Sequence, residues 1–250
     1  MKRLFWAICF YSVTLPLLPE EDTSEMAVMP LLDSVHTATA ITLSRGEYVT
    51  SFWAYHNGGI LSKAQLGLNN NLYLGVSFDV ENVIGRDSMR MNIPGVIAKW
   101  KLTEGWAQFP LLIAIGYDAF STGSSAKLPE GALFNPWNRV LYGPYFVITK
   151  PIYLFGEEQY LHAGVRTPVQ PYYIPEDTSA YFAFAIPLGY FTPIFELERV
   201  FFHHKRWQEM AFNLAFRLGF VPNLILELDI LSQWKTRSSR MVVLEYRNQF

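Results

Sequence analysis

Between Met210 and Phe220 the chain alternates large apolar residues with small or polar ones. Met210, Phe212, Leu214, Phe216, Leu218 and Phe220 interleave with Ala211, Asn213, Ala215, Arg217 and Gly219. Successive side chains of a pleated strand point to opposite faces, so a period of two makes a strand with one dry and one wet face. Two more segments of this kind follow, and the sequence ends on Phe250. Many short dyad-repeat segments with a terminal aromatic fit an antiparallel transmembrane β-barrel, which hides the wet faces in its lumen and turns the dry ones to lipid.

Read backwards from the C-terminus, the alternation predicts about twelve strands over residues 46–250. Leu72, Leu74, Val76, Phe78 and Val80 oppose Tyr73, Gly75, Ser77, Asp79 and Glu81. Val96, Ala98, Trp100 and Leu102 oppose Ile97, Lys99 and Lys101, and Leu224, Leu226, Leu228 and Ile230 oppose Glu227 and Asp229. Val242, Leu244 and Tyr246 in turn oppose Val243, Glu245 and Arg247. Connection lengths alternate as well: short near 69–71, 103–108, 155–158, 189–190 and 221–223, and mostly longer near 82–94, 120–138, 168–178, 201–208 and 234–239. Barrels of the bacterial outer membrane have this pattern, with short periplasmic turns and long outer loops. One hairpin, at 57–59, is tight where a loop is expected.

Half of the residues are apolar, 16% are aromatic and only 17% are charged. That is poor in charge for a soluble domain. A formal charge of −2 creates no field that would recruit nucleic acid. No apolar run reaches the length of a spanning helix, so a membrane could be crossed only by a closed barrel. Lys2 and Arg3 precede an apolar stretch over residues 4–18 and then an acidic segment, the layout of a secretory signal peptide. The expected organisation is a signal peptide over 1–25, an N-terminal extension over 26–45 that packs near the barrel mouth, and a barrel domain over 46–250. Val35, Thr37, Thr39 and Ile41 alternate weakly in the extension, which also fits a further strand, a lumen plug or a strap. Cys9 is the one cysteine, so the mature chain would hold no disulfide.

The wet faces supply the candidate site. Asp79, Glu81, Lys99, Lys101, Asp118, His162, Arg166, Glu196, Glu198, Arg217, Glu227, Asp229, Glu245 and Arg247 are expected to line the lumen. Glu196 and Glu198 would flank Arg217, which would face Glu227 and Asp229. Such a set could select ions or bind sugars. Equally, it could fill and satisfy a closed interior, because a charge facing lipid costs about 2–4 kcal/mol at the midplane.

Ser77, His162 and Asp118 could be written as a hydrolytic triad, but no motif supports it, and catalysis is not expected. Adjacent His203 and His204 read as a solvated loop, and neither a metal nor another cofactor is expected. Trp53, Tyr55, Trp100, Tyr117, Trp137, Tyr142 and Tyr145 are expected to anchor the membrane interfaces, with sugar stacking as the functional alternative.

The stretch GEYVTSFWAYHNGGILSKAQLGLNNNLYLGVSFDVENVIG, with NIPGVIAKWKL and FPLLIAIGYDAF, resembles the YjbH-like group of bacterial outer-membrane barrels over residues 46–120. The resemblance implies outer-membrane location and a link to exopolysaccharide, and it supplies no catalytic motif. Phe250 also fits the C-termini read by the barrel-assembly machinery, although Asn248 stands where an apolar residue is usual. The sequence therefore predicts an outer-membrane barrel, surrounded by lipid, that passes or exports a small solute or polysaccharide through a charged lumen. The alternatives are a closed-lumen scaffold or adhesin acting through its outer loops and, behind it, a membrane-embedded hydrolase. The loop over 121–138 is the candidate for outside recognition.

Overall fold

Residues whose side chains alternate between wet and dry are found in the strands of one closed sheet. The computed structural model describes residues 31–85, 88–106, 109–122, 139–154, 157–169, 178–202, 210–233 and 238–250. The strands are β1 (Glu47–Tyr55), β2 (Gly59–Asn69), β3 (Leu72–Glu81), β4 (Arg90–Met91), β5 (Gly95–Trp106), β6 (Phe109–Thr122) and β7 (Arg139–Leu154). They continue as β8 (Glu157–Arg166), β9 (Ser179–Ala185), β10 (Phe191–Phe201), β11 (Ala211–Val221), β12 (Leu224–Gln233) and β13 (Ser239–Gln249). All pairings are antiparallel, and β1 closes the ring on β13 from Glu47↔Gln249 to Ala54↔Val242. The two-residue β4 only edges β3, which leaves the twelve barrel strands that the alternation predicts. Closure removes both sheet edges, so the barrel's own strands satisfy each other's backbone groups.

Parity works as expected. On β3, Leu74, Val76 and Phe78 are exposed, whereas Tyr73, Ser77, Asp79 and Glu81 are buried. Each of the twelve barrel strands presents at least one large apolar residue outward, including Phe52, Leu66, Val96, Ile115, Phe146, Leu161, Phe182, Phe195, Phe212, Leu228 and Leu244. A continuous apolar belt outside and buried charge inside invert the arrangement of a water-soluble domain. No helix among the described residues is long and apolar enough to cross a membrane, which says nothing about strands.

The tight hairpin at 57–59 is a short 3-10 turn, with Gly58 at φ +71. Between β5 and β6 the strands run to Trp106 and start again at Phe109, so this connection is shorter than the alternation suggested. On β10 the register against β9 shifts between Leu197 and Val200, where Arg199 adopts φ 60. That β-bulge adds a residue that a strict period of two does not anticipate.

The largest departure lies in the N-terminal extension. Residues 31–43 do not rest at the mouth but thread into the lumen. Leu31, Leu32, Ser34, Val35, His36, Thr37, Ala38, Thr39, Ala40 and Leu43 are all buried. The segment turns back on itself, with Asp33 bridging Ala38, Ser34 N–H donating to the Thr37 carbonyl at 2.8 Å and Thr39 N–H to that of Leu32 at 3.1 Å. It leaves at the end where the short turns cluster: the Thr42 hydroxyl donates to the Asn70 carbonyl at 2.9 Å, and Arg45 N–H to the Asn70 side chain at 3.1 Å. An interior already lined with donors and acceptors can solvate such a segment's backbone, which is why weak alternation suffices to place it there. The expected signal peptide lies outside the described residues.

Candidate functional site

The site is the middle of the lumen, where the wall meets residues 31–43. Two chemistries hold the segment. On β10, Glu196 points inward because it shares parity with Ile194 and Glu198, all buried. Its Oε2 accepts three consecutive main-chain N–H groups, from Val35 at 3.0 Å, His36 at 3.1 Å and Thr37 at 3.0 Å. The hydroxyls of Ser34 and Thr37 add donors at 2.6 Å and 2.7 Å. Successive N–H groups converging on one point form an anion nest, and here the anion is the wall's own carboxylate. Asn213 on β11, directly opposite Glu196, donates to Oε1 at 2.7 Å and to Glu198 at 2.9 Å.

Across the lumen the polarity reverses. Lys63 of β2 bonds Asp33 at 2.6 Å and lies over the Trp53 ring at 3.9 Å. Burial pushes the Asp33 carboxyl up, but Lys63, Lys99 and Arg166 outweigh it and hold the group below its ordinary value. Lys99 of β5, fully buried, donates to the carbonyls of Leu32 at 2.8 Å and Ile41 at 3.2 Å. Between these arcs, Thr149 of β7 accepts Ala40 N–H at 2.8 Å, and the Tyr181 hydroxyl of β9 donates to the Ala38 carbonyl at 3.1 Å. The Tyr181 ring crosses directly over Gly164 of β8, where a Cβ would overlap it. Apolar contacts complete the seat, with Leu31, Leu32, Val35 and Leu43 packed in one cluster with Val49, Leu61, Ile97, Ile194 and Met241.

The predicted lumen residues fall into groups. Asp79, Glu81, Lys99, Asp118, His162, Arg166, Glu196, Glu198, Arg217, Glu227, Asp229 and Arg247 are buried, whereas Lys101 and Glu245 are half-buried. Lys101 lies 3.8 Å from Glu104. Asp118 pairs with Arg166 at 2.5 Å, and Arg247 pairs with Glu47 at the strand ends. Asp79 accepts from Tyr55 at 2.5 Å and, with Glu81, from the Asn92 amide.

The expected flanking of Arg217 by Glu196 and Glu198 does not occur. The register sets Arg217 opposite Thr192, four residues away, while on its other side Arg217 does face Glu227 of β12, which it bonds at 2.5 Å, and it also reaches the Asp33 carbonyl at 3.3 Å. Asp229 is buried beside Glu227, with whose carboxyl it shares a side-chain hydrogen bond, and among the described residues no N–H or hydroxyl group donates to it.

Ser77, His162 and Asp118 are not assembled as a triad. The Ser77 hydroxyl donates to the Ala119 carbonyl, His162 shares a hydrogen bond with Thr149, and Asp118 is taken by Arg166. His36, Glu196 and Glu198 offer ligand atoms within 4.8 Å of one another, but Glu196 is already occupied by hydrogen-bond donors, so the arrangement is a latch.

Three aromatics expected at the membrane interfaces, Trp53, Tyr55 and Tyr145, are buried inside. Trp100 does face outward, and Tyr117 is half-buried. Trp137, His203, His204 and most of the 121–138 loop lie outside the described residues, and Tyr142 is described only as a strand residue. His36 is a lumen residue that the alternation did not single out, because its segment carries no clear strand pattern.

The sequence matches no protein-family model and no curated protein. Among solved structures, the chain is similar to the KdgM porin, with a TM-score of 0.51 and 10% identity over 80% of this chain and 98% of that one. It is also similar to the KdgM porin in complex with disordered oligogalacturonate, with a TM-score of 0.53 at 10% identity over the same shares. The YjbH-like resemblance has no counterpart in these matches. Likeness at such identity concerns architecture, and the shared architecture is a closed, twelve-stranded antiparallel barrel.

Proposed function

We propose that the protein is a bacterial outer-membrane barrel for the passage of small polar solutes, and that residues 31–43 are a resident plug which must shift for solute to pass. The observation that carries this reading is the inserted segment itself: a charged lumen is filled by a short piece of chain held largely by polar contacts. The wall groups that grip it, Lys63, Lys99, Thr149, Glu196 and Arg217, are hydratable, so they can be rewetted when the segment withdraws. About eight strands enclose an interior that side chains alone can fill, whereas the twelve strands here enclose one wide enough to take an inserted segment as well. The outward apolar belt supports the membrane location. The similar porin described in complex with oligogalacturonate supports passage as the task.

Conductance of the refolded chain in a planar bilayer tests this, with the intact protein beside a variant lacking residues 31–43. The variant is expected to conduct steadily and the intact chain to open only in brief events. If both stay silent while heat-modifiable migration on gels shows a folded barrel, the lumen is closed without the segment, and the scaffold reading replaces passage. That second reading is favoured by the same burial of residues 31–43. Polysaccharide as cargo rests on the resemblance of residues 46–120 alone and requires the whole segment to leave the lumen.

A further inference from the structure

On the basic side of the lumen a buried guanidinium is only partly used. Arg166 of β8 is 4% exposed, and its Nη2 bonds Asp118 at 2.5 Å. Its Nε and Nη1 are buried and, among the described residues, have no acceptor. The guanidinium also lies over the Tyr145 ring at 5.4 Å, a contact that leaves those N–H groups without an acceptor. Unanswered donors on a buried cation carry the full cost of their lost hydration, so their retention on a lumen wall calls for an acceptor from outside the wall.

The inserted segment indicates the chemistry of that acceptor. Its Asp33 carboxylate is bonded by Lys63 at 2.6 Å and lies in the combined field of Lys63, Lys99 and Arg166. Lys99 donates to two neutral carbonyls, those of Leu32 and Ile41. A carboxylate would make a stronger bond to Lys99 or Arg166 than a carbonyl does, because donor and acceptor are then both charged. Asp33 answers Lys63, whereas Nε and Nη1 of Arg166 stay unanswered while the segment is in place.

We infer that the arc formed by Lys63, Lys99 and Arg166 is a binding site for a solute bearing carboxylate groups, with Asp33 as an internal stand-in for one of them. The inference rests on the passage reading and adds the class of solute. A solute with more than one carboxylate can replace Asp33 at Lys63 and also fill the donors of Arg166, which the segment leaves unfilled. Solute and segment therefore compete for Lys63, and binding of one loosens the other.

Calorimetric titration of the refolded full chain with citrate tests this, beside Asp33→Asn and the double variant Arg166→Met with Asp118→Asn. The double variant removes one charge of each sign, so the net charge of the wall is unchanged and the donors of the guanidinium are lost. It is expected to weaken citrate binding about tenfold, the effect of one charged contact. Asp33→Asn takes the charge from the competitor and is expected to tighten binding about threefold or more. Both variants are first shown to migrate as folded barrels. Asp33 lies in the segment and not in the barrel wall, so its variant decides the matter if the double variant does not fold. Equal affinity in the intact protein and the folded variants, or no heat at all, would overturn the site. Phosphate displacing citrate at matched concentration would make it a general anion site and overturn the carboxylate assignment. Planar-bilayer recordings separate this from the passage reading: a barrel that binds citrate but never conducts keeps the site and loses passage, and one that conducts but ignores citrate does the reverse.

Discussion

The two sides of the lumen grip the same segment in different ways. On β10 a carboxylate holds main-chain N–H groups, which every residue except proline supplies. On β2 and β5 two lysines hold one side chain, Asp33, and two carbonyls. The main-chain part of the acidic grip is thus insensitive to what residues 35 and 36 are, provided the turn keeps its shape, and the Ser34 and Thr37 hydroxyls only add to it. The basic side depends on a single acid. The latch is therefore vulnerable at the wall residue on one side and at the segment residue on the other.

The hardest blow to this contrast is Glu196→Leu. It leaves three N–H groups and two hydroxyls of the segment without their acceptor, and it is expected to loosen the docked segment by about 3–5 kcal/mol, the range for breaking a buried charged network. Thiol labelling of a cysteine placed at Ala38, on a Cys9→Ser background, measures it as a rise in labelling rate. Unchanged protection would mean that the apolar contacts alone hold the segment.

Next comes Lys63→Met, which strands Asp33 beside the remaining cations Lys99 and Arg166 and is expected to cost about 1–3 kcal/mol by the same readout. Adding Asp33→Asn should recover part of that loss, because the two residues act as a pair. Simple additivity would show that they do not.

Thr37→Val alone removes one hydroxyl donor and is expected to cost about 0.5–1.5 kcal/mol, while replacing His36 by alanine should leave the main-chain grip at Glu196 intact.

The smallest effect at working pH is titration of Asp33. Its carboxyl is held below the ordinary 3.8, so its contribution is complete above that value and is lost as pH falls through the lowered one. Labelling at Ala38 should therefore show no Asp33-dependent change between about pH 5 and 8, and an acid-side increase only below 3.8 that Asp33→Asn abolishes.

The wall was legible in the sequence because parity is a local property. Met210 through Phe220 show it without help, and Asp79, Glu196, Arg217 and Asp229 could be assigned to the wet face from their strand neighbours alone. Partner identity was not legible, because the register between two strands depends on how the connection joins them and not on their parity, and a shift of four residues moves Glu196 from Arg217 to Asn213. Residues 31–43 were harder still: their strongest bonds join main-chain groups to a carboxylate about 160 positions away, and main-chain donors leave no mark in a sequence. Trp53, Tyr55 and Tyr145 were misplaced for a related reason. Their strands carry apolar residues on both faces, with Val49, Trp53 and Tyr55 inside and Phe52 outside on β1, so parity alone could not tell an outward anchor from an inward ring that packs beneath an inserted segment.

A reversible lock would show whether residues 31–43 gate the lumen. Ala40 N–H lies 2.8 Å from the Thr149 hydroxyl, so cysteines at these two positions, on the Cys9→Ser background, can tie the segment to β7. Single-channel current would be recorded from that variant oxidised, with the disulfide verified by mass, and again after reduction. The barrel is expected to be silent when oxidised and to show opening events when reduced. The same current in both states would show that residues 31–43 do not control the lumen.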